Sequence, residues 1–163
     1  MPNAGRMGFD TFFGLPAHPL LVHLPIVLVP ILTLATLALA INKDWRNRYS
    51  PAVAVVGAGT ALATILAAGA GEKLAEQVGS GGLIGDHIDL GEQTRIIVPL
   101  FAIVLIGLAA AVRYGSERLA AVMSVLALLA AAVATTWVVR TGHAGSKAVW
   151  QGVGEVDVES GGD

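Results

Sequence analysis

An all-α integral membrane four-helix bundle with both termini extracytoplasmic is the fold the sequence predicts, and three observations predict it. The chain of 163 residues is 55% hydrophobic and 13% charged, with a mean hydropathy of +0.71. Soluble chains carry about 25% charged residues, so the solvent of this one is a bilayer. Four apolar runs, at about 19–41, 51–71, 94–113 and 118–140, each approach the roughly 20 residues that carry a helix across ~30 Å of hydrocarbon. The polar residues gather between them, so the chain reads as a single transmembrane domain over 1–156, followed by an acidic flexible tail at 157–163.

The first run opens with LPAHPLLVHLPIVLVP, from Leu15 to Pro30, where His18 and His23 stand among four prolines. From Pro19 to Ile41 it holds no Asp, Glu, Lys or Arg. Ala38-Leu39-Ala40 has the form of a signal-peptidase site. The apolar region outruns the usual ~7 to 15 residues of a leader and contains Pro25 and Pro30, so we read it as a retained span. The Phe9, Phe12 and Phe13 rings ahead of it suit an interfacial belt.

Asn42 to Ser50 reads as a short basic loop anchored by Trp45 and Tyr49, and Pro51 opens the second run. That run is rich in small residues four apart, such as Gly57 and Ala61, Gly59 and Ala63, and Ala67 and Gly71. In lipid such spacing lets helix backbones approach closely. Glu72 to Glu92 reads as a polar connection holding His87. The third run has Pro99 near its start, and the fourth ends at Trp137 and Arg140 before Thr141-Gly142-His143-Ala144-Gly145.

Four spans bring the start of the first and third and the end of the second and fourth to one side. All four histidines, His18, His23, His87 and His143, lie on those segments. The opposite side holds Lys43, Arg46, Arg48, Arg113 and Arg118 against Asp44 and Glu117 only. Basic residues mark the cytoplasmic side, which puts the histidines and both termini outside the cell, in the plasma membrane.

The opening HPLLVHLP, the HxxxG of His87 to Gly91 and the closing TGHAGSKAVWQGVGEV resemble the small bacterial membrane proteins called domain of unknown function 2231, over about Leu15 to Val156. Trp150 stands where a Tyr is more usual. The resemblance implies a four-helix membrane domain and puts the family's recurrent histidines at His18, His23, His87 and His143. It carries no activity, although occasional association with haem-containing redox domains points to a redox setting.

Neutral imidazole binds transition metals and haem iron, and a polar group at membrane depth invites a functional reading. Three readings stand. In the first, a b-type haem takes His23 and one of His87 or His143 as axial ligands, with Arg140, Arg95 or Lys147 neutralising its propionates. In the second, His18, His23, His87 and His143 ligate Fe, Cu or Zn, with nearby carboxylates as support. In the third, a non-catalytic accessory subunit uses its histidines for interhelical hydrogen bonds and holds a redox or other membrane partner. Each histidine also has a plain role open to it, at a helix start, in a solvated loop or against the last carbonyls of a helix.

Without cysteine there is no thiolate site, disulfide or covalent c-type haem attachment. A net charge of −2 argues against nucleic acid as a partner. No HExxH, GxSxG or apolar carboxylate pair supports an enzyme.

Overall fold

The computed structural model describes residues 11–12, 15–78 and 82–150. The leading aromatic segment, apart from Thr11–Phe12, lies outside the described residues, as do Gly79, Gly81 and the acidic tail. Five helices make up almost all of the rest: α1 (Ala17–Leu21), α2 (His23–Ile41), α3 (Lys43–Val78), α4 (Leu83–Tyr114) and α5 (Glu117–Trp150). The two-residue strands β1 (Thr11–Phe12) and β2 (Leu15–Pro16) pair antiparallel before α1.

Taken together, α1 and α2 form one apolar stretch, Ala17–Ile41, and with α3, α4 and α5 they give four helices long and apolar enough to cross a membrane. The break at Val22 has a local cause. Pro25 has no N–H for the carbonyl of Leu21, so the ladder slackens there and resumes with Ile26 N–H on Val22 O at 3.2 Å. Pro30 lies inside the continuous α2.

Three segments read as loops or breaks are helical. Asn42 alone separates α2 from α3, the polar connection is helical up to Val78 and again from Leu83, and α5 runs unbroken through Thr141 to Trp150. At ~1.5 Å per residue, the 36 residues of α3 extend about 54 Å, well beyond the ~30 Å of hydrocarbon. Polar helix ends therefore project into the headgroups and water, where composition alone reads as loop. The side chain of Asn42 accepts from Trp45 N–H at 3.0 Å, and that of Ser116 accepts from Leu119 N–H at 3.2 Å, so each N-terminus is capped by its turn residue.

Packing closes a ring in which α2 and α4 each lie against both α3 and α5. Its interior is filled by Val29, Leu32, Leu39, Val98, Phe101, Leu105 and Leu108, with alanines such as Ala127, Ala131 and Ala134 where α5 comes close. Larger side chains such as Leu34, Val55, Ile103 and Leu129 point outward. Lipid is as apolar as the interior, so close backbone approach and van der Waals contact hold such a ring together. A hydrogen bond of 2.7 Å between the hydroxyls of Thr33 and Thr135 joins α2 to α5.

The ring repeats itself. Adding 69 to a residue of the first membrane helix gives its counterpart on α4: His18 and His87, Val29 and Val98, Pro30 and Pro99, Leu32 and Phe101, Thr36 and Leu105, Leu39 and Leu108. Apart from the histidines and prolines, every residue in those pairs is buried. Adding 74 carries α3 onto α5 in the same way, through the caps Asn42 and Ser116 and the buried pairs Ser50 and Ser124, Gly57 and Ala131, Thr60 and Ala134, Thr64 and Val138. The difference of 5 is one further turn at the end of α4 plus one further residue in the Gly115–Ser116 turn. Alternate helices of the ring carry the same pattern, which gives the bundle an approximate two-fold axis along its length.

The small-residue stripe on α3 is only partly an interface. Gly57 is buried, and a Cβ there would meet Leu105 Cδ1 at 2.9 Å, whereas Gly59 is exposed with nothing within 4 Å. Gly57→Leu is expected to cost about 1–3 kcal/mol by overpacking, and Gly59→Leu less than about 0.5 kcal/mol, in thermal unfolding of the detergent-solubilised protein.

Candidate functional site

At one end of the ring the interior is not filled. A cavity of about 530 Å³ lies between the starts of α1 and α4 and the ends of α3 and α5. Both His18 and His87 line it. Its walls follow the internal repeat: Thr64 and Val138, Ala67 and Thr141, Gly71 and Gly145, and Ala75 and Val149 face it as counterparts.

Each imidazole is fixed in the same way. The Nδ1–H of His18 donates to the carbonyl of Ala67 at 2.7 Å, and that of His87 donates to the carbonyl of Thr141 at 2.9 Å. A carbonyl only accepts, so Nδ1 carries a proton, and in the neutral ring Nε2 then keeps its lone pair. Neither Nε2 has a hydrogen-bond partner among the described residues.

One helical turn beyond each acceptor stands a glycine against which the ring lies. A Cβ on Gly71 would come 2.8 Å from Nδ1 and Cε1 of His18, and one on Gly145 would come 3.0 Å from Cε1 of His87. The two half-sites face each other with ring centroids 6.1 Å apart and ring planes at 77°. Thr141 adds a polar detail on one side only, since its hydroxyl bonds Thr94 at 2.8 Å where the other half has Ala67 and Pro25.

The other two histidines point elsewhere. His23 is exposed, and its Nδ1 bonds the carbonyl of Pro19 on α1 at 2.5 Å. His23 opens α2 beyond the break at Val22, and it is not among the residues that line the cavity with His18. His143 is exposed, roughly 200° around α5 from the cavity-facing Thr141 and Gly145. It lines a separate polar groove with Asp86, Asp89, Arg140 and Lys147. Arg140 stands over the Trp137 ring at 5.4 Å, away from the cavity, and Trp137 Nε1–H donates to Gln93 at 2.8 Å. Glu72, on the cavity wall, pairs with Arg95 at 2.6 Å.

The four histidines therefore share one end of the bundle, and only His18 and His87 meet. Among the described residues no three His, Asp or Glu side chains gather closely enough to hold a metal ion. Gly71 and Gly145 were not singled out by sequence reasoning as site residues. The signal that could have found them is the repeat itself, in which a histidine precedes a proline by twelve residues twice.

A family model described as predicted membrane protein (DUF2231) matches residues 14–157. No curated protein and no solved structure matches the chain.

Proposed function

Since the chain belongs to the DUF2231 family of predicted membrane proteins, and its cavity presents two free imidazole nitrogens, we propose that it binds a b-type haem with His18 and His87 as the axial pair, and serves one-electron transfer. The observation that carries this reading is the pair itself: two imidazoles 6.1 Å apart, both Nδ1-anchored, on an apolar cavity. A metal held by both Nε2 atoms at ~2.0–2.1 Å sets opposed ring centroids roughly 6–6.5 Å apart. Anchoring of the second ring nitrogen to a carbonyl is what orients a metal-bound histidine and raises its basicity.

Two ligands favour haem over a bare ion. Zinc sites take three or four protein ligands, and haem brings four nitrogens of its own. The cavity of about 530 Å³ falls within the ~300–1,000 Å³ of small-molecule and cofactor sites. Arg95 is joined at 2.6 Å to Glu72, which lines the cavity, and is the cation we assign to a haem propionate. Held by His18 and His87, such a haem would supply one-electron redox chemistry, for exchange with a redox partner.

Protein purified from cells supplied with haem precursor is expected to show the split visible bands of six-coordinate low-spin ferrous haem after dithionite. A colourless preparation that also fails to take up added hemin would defeat the reading. The accessory-subunit alternative would then stand on the same two bonds, His18 to Ala67 and His87 to Thr141, which stitch neighbouring helices.

We propose further that the histidine end and both termini are extracytoplasmic in the plasma membrane, on the strength of the five basic residues at the other end. Cysteines placed at the exposed Asn47, Ser116 and Ser146 test it. An impermeant thiol reagent should label intact cells at 146 only, and labelling at 47 and 116 instead would invert the orientation.

A further inference from the structure

We infer that the axial imidazoles of the proposed haem are held crossed, and that Gly71 and Gly145 are the positioning residues that keep them so. The inference rests on the haem reading and adds an electronic property to it. The ring planes of His18 and His87 stand at 77° to one another. Neither ring is free to turn to the other's plane, because each is held at two points by its own hairpin. The first is the Nδ1–H bond, to Ala67 O or Thr141 O. The second is the bare backbone of Gly71 or Gly145, on which any Cβ would fall within 3.0 Å of ring atoms.

The two-fold axis explains why the planes cross. Rotation about an axis along the bundle carries one ring onto the other with equal and opposite tilt. Two rings so related are parallel only if they lie along or straight across that axis. Any intermediate tilt crosses them. The crossing is therefore a product of the repeat, in which two hairpins each supply a complete half-site.

Crossed ligand planes matter to iron. A parallel pair of imidazoles donates π density into one of the two iron d orbitals that point between the ligands, and separates their energies. A crossed pair donates into both and leaves them nearly degenerate. Low-spin ferric iron then shows an electron paramagnetic resonance spectrum dominated by one very low-field feature, in place of three resolved features.

The test is that spectrum, recorded on the full-length, haem-loaded ferric protein at liquid-helium temperature. A single dominant low-field feature is expected. Three resolved features from haem that the visible spectrum reports as low-spin and six-coordinate would overturn the crossing while leaving haem binding intact. A protein that takes up no haem overturns both readings. In Gly71→Ala and Gly145→Ala the added methyl displaces the ring from its carbonyl, and the low-field feature should move toward the three-feature pattern while low-spin haem is retained. An unmoved feature in folded, haem-loaded variants would remove the glycines from their positioning role. Should either variant not fold, the unmodified protein still decides the crossing, and Gly59→Ala, with open space around it, serves as the silent control.

Discussion

His18→Ala and His87→Ala will each abolish the low-spin haem spectrum, whereas His23→Ala and His143→Ala will leave it unchanged. The asymmetry follows from where the rings lie. His18 and His87 line the cavity across the approximate two-fold axis, and removing one would leave the proposed haem a single protein nitrogen and a void where the second ring stood. Loss of the exposed His23, whose ring bonds the Pro19 carbonyl, reaches neither cavity histidine. Absorbance at the Soret maximum per mole of protein is the measurement, and the two cavity variants should behave alike because their half-sites are alike. Loss of haem in His23→Ala with retention in His87→Ala would make His23, and not His87, a ligand.

Phe101→Ala will destabilise the bundle by about 3–5 kcal/mol. Phe101 is 1% exposed in the ring interior, where it takes the place that Leu32 holds in the other hairpin. Lipid does not enter a closed interior, so the deleted ring leaves lost dispersion contacts on every side. Leu32→Ala, at 3% exposure, should cost about 2–5 kcal/mol by the same mechanism. Ile103→Ala is the matched control, since Ile103 is 61% exposed on the outer face, and its effect should stay within about 0.5 kcal/mol. Unfolding in mixed micelles measures all three, and comparable losses at 101 and 103 would mean that the ring is not packed as described.

The membrane architecture was legible in the sequence because the bilayer imposes a length and an apolarity that no other solvent asks for. Lys43 to Tyr49 and Thr141 to Trp150 were not legible as helix, because polar residues that project beyond the hydrocarbon carry no hydropathy signal. Of the proposed site, the end of the bundle was legible and the pair was not. Charge and topology brought four histidines to one end, yet the direction of each ring depends on its angle around its helix, and a depth argument is blind to angle. His23 lies further along the apolar run than His18, yet it is exposed, just beyond the break at Val22. Gly71 and Gly145 were hidden differently, as two among 20 glycines. What sets them apart is the partner that each meets.

The acceptors of the two anchoring bonds have a consequence for how such a site can change over generations. Ala67 and Thr141 occupy matching places, differ in side chain, and do the same work, because what each offers is its main-chain oxygen. Alanine and threonine are therefore equivalent to the histidines at these two places, so long as the helix persists. What the anchoring itself asks of side chains is a histidine and a glycine per hairpin, held in register by the packed helices between them.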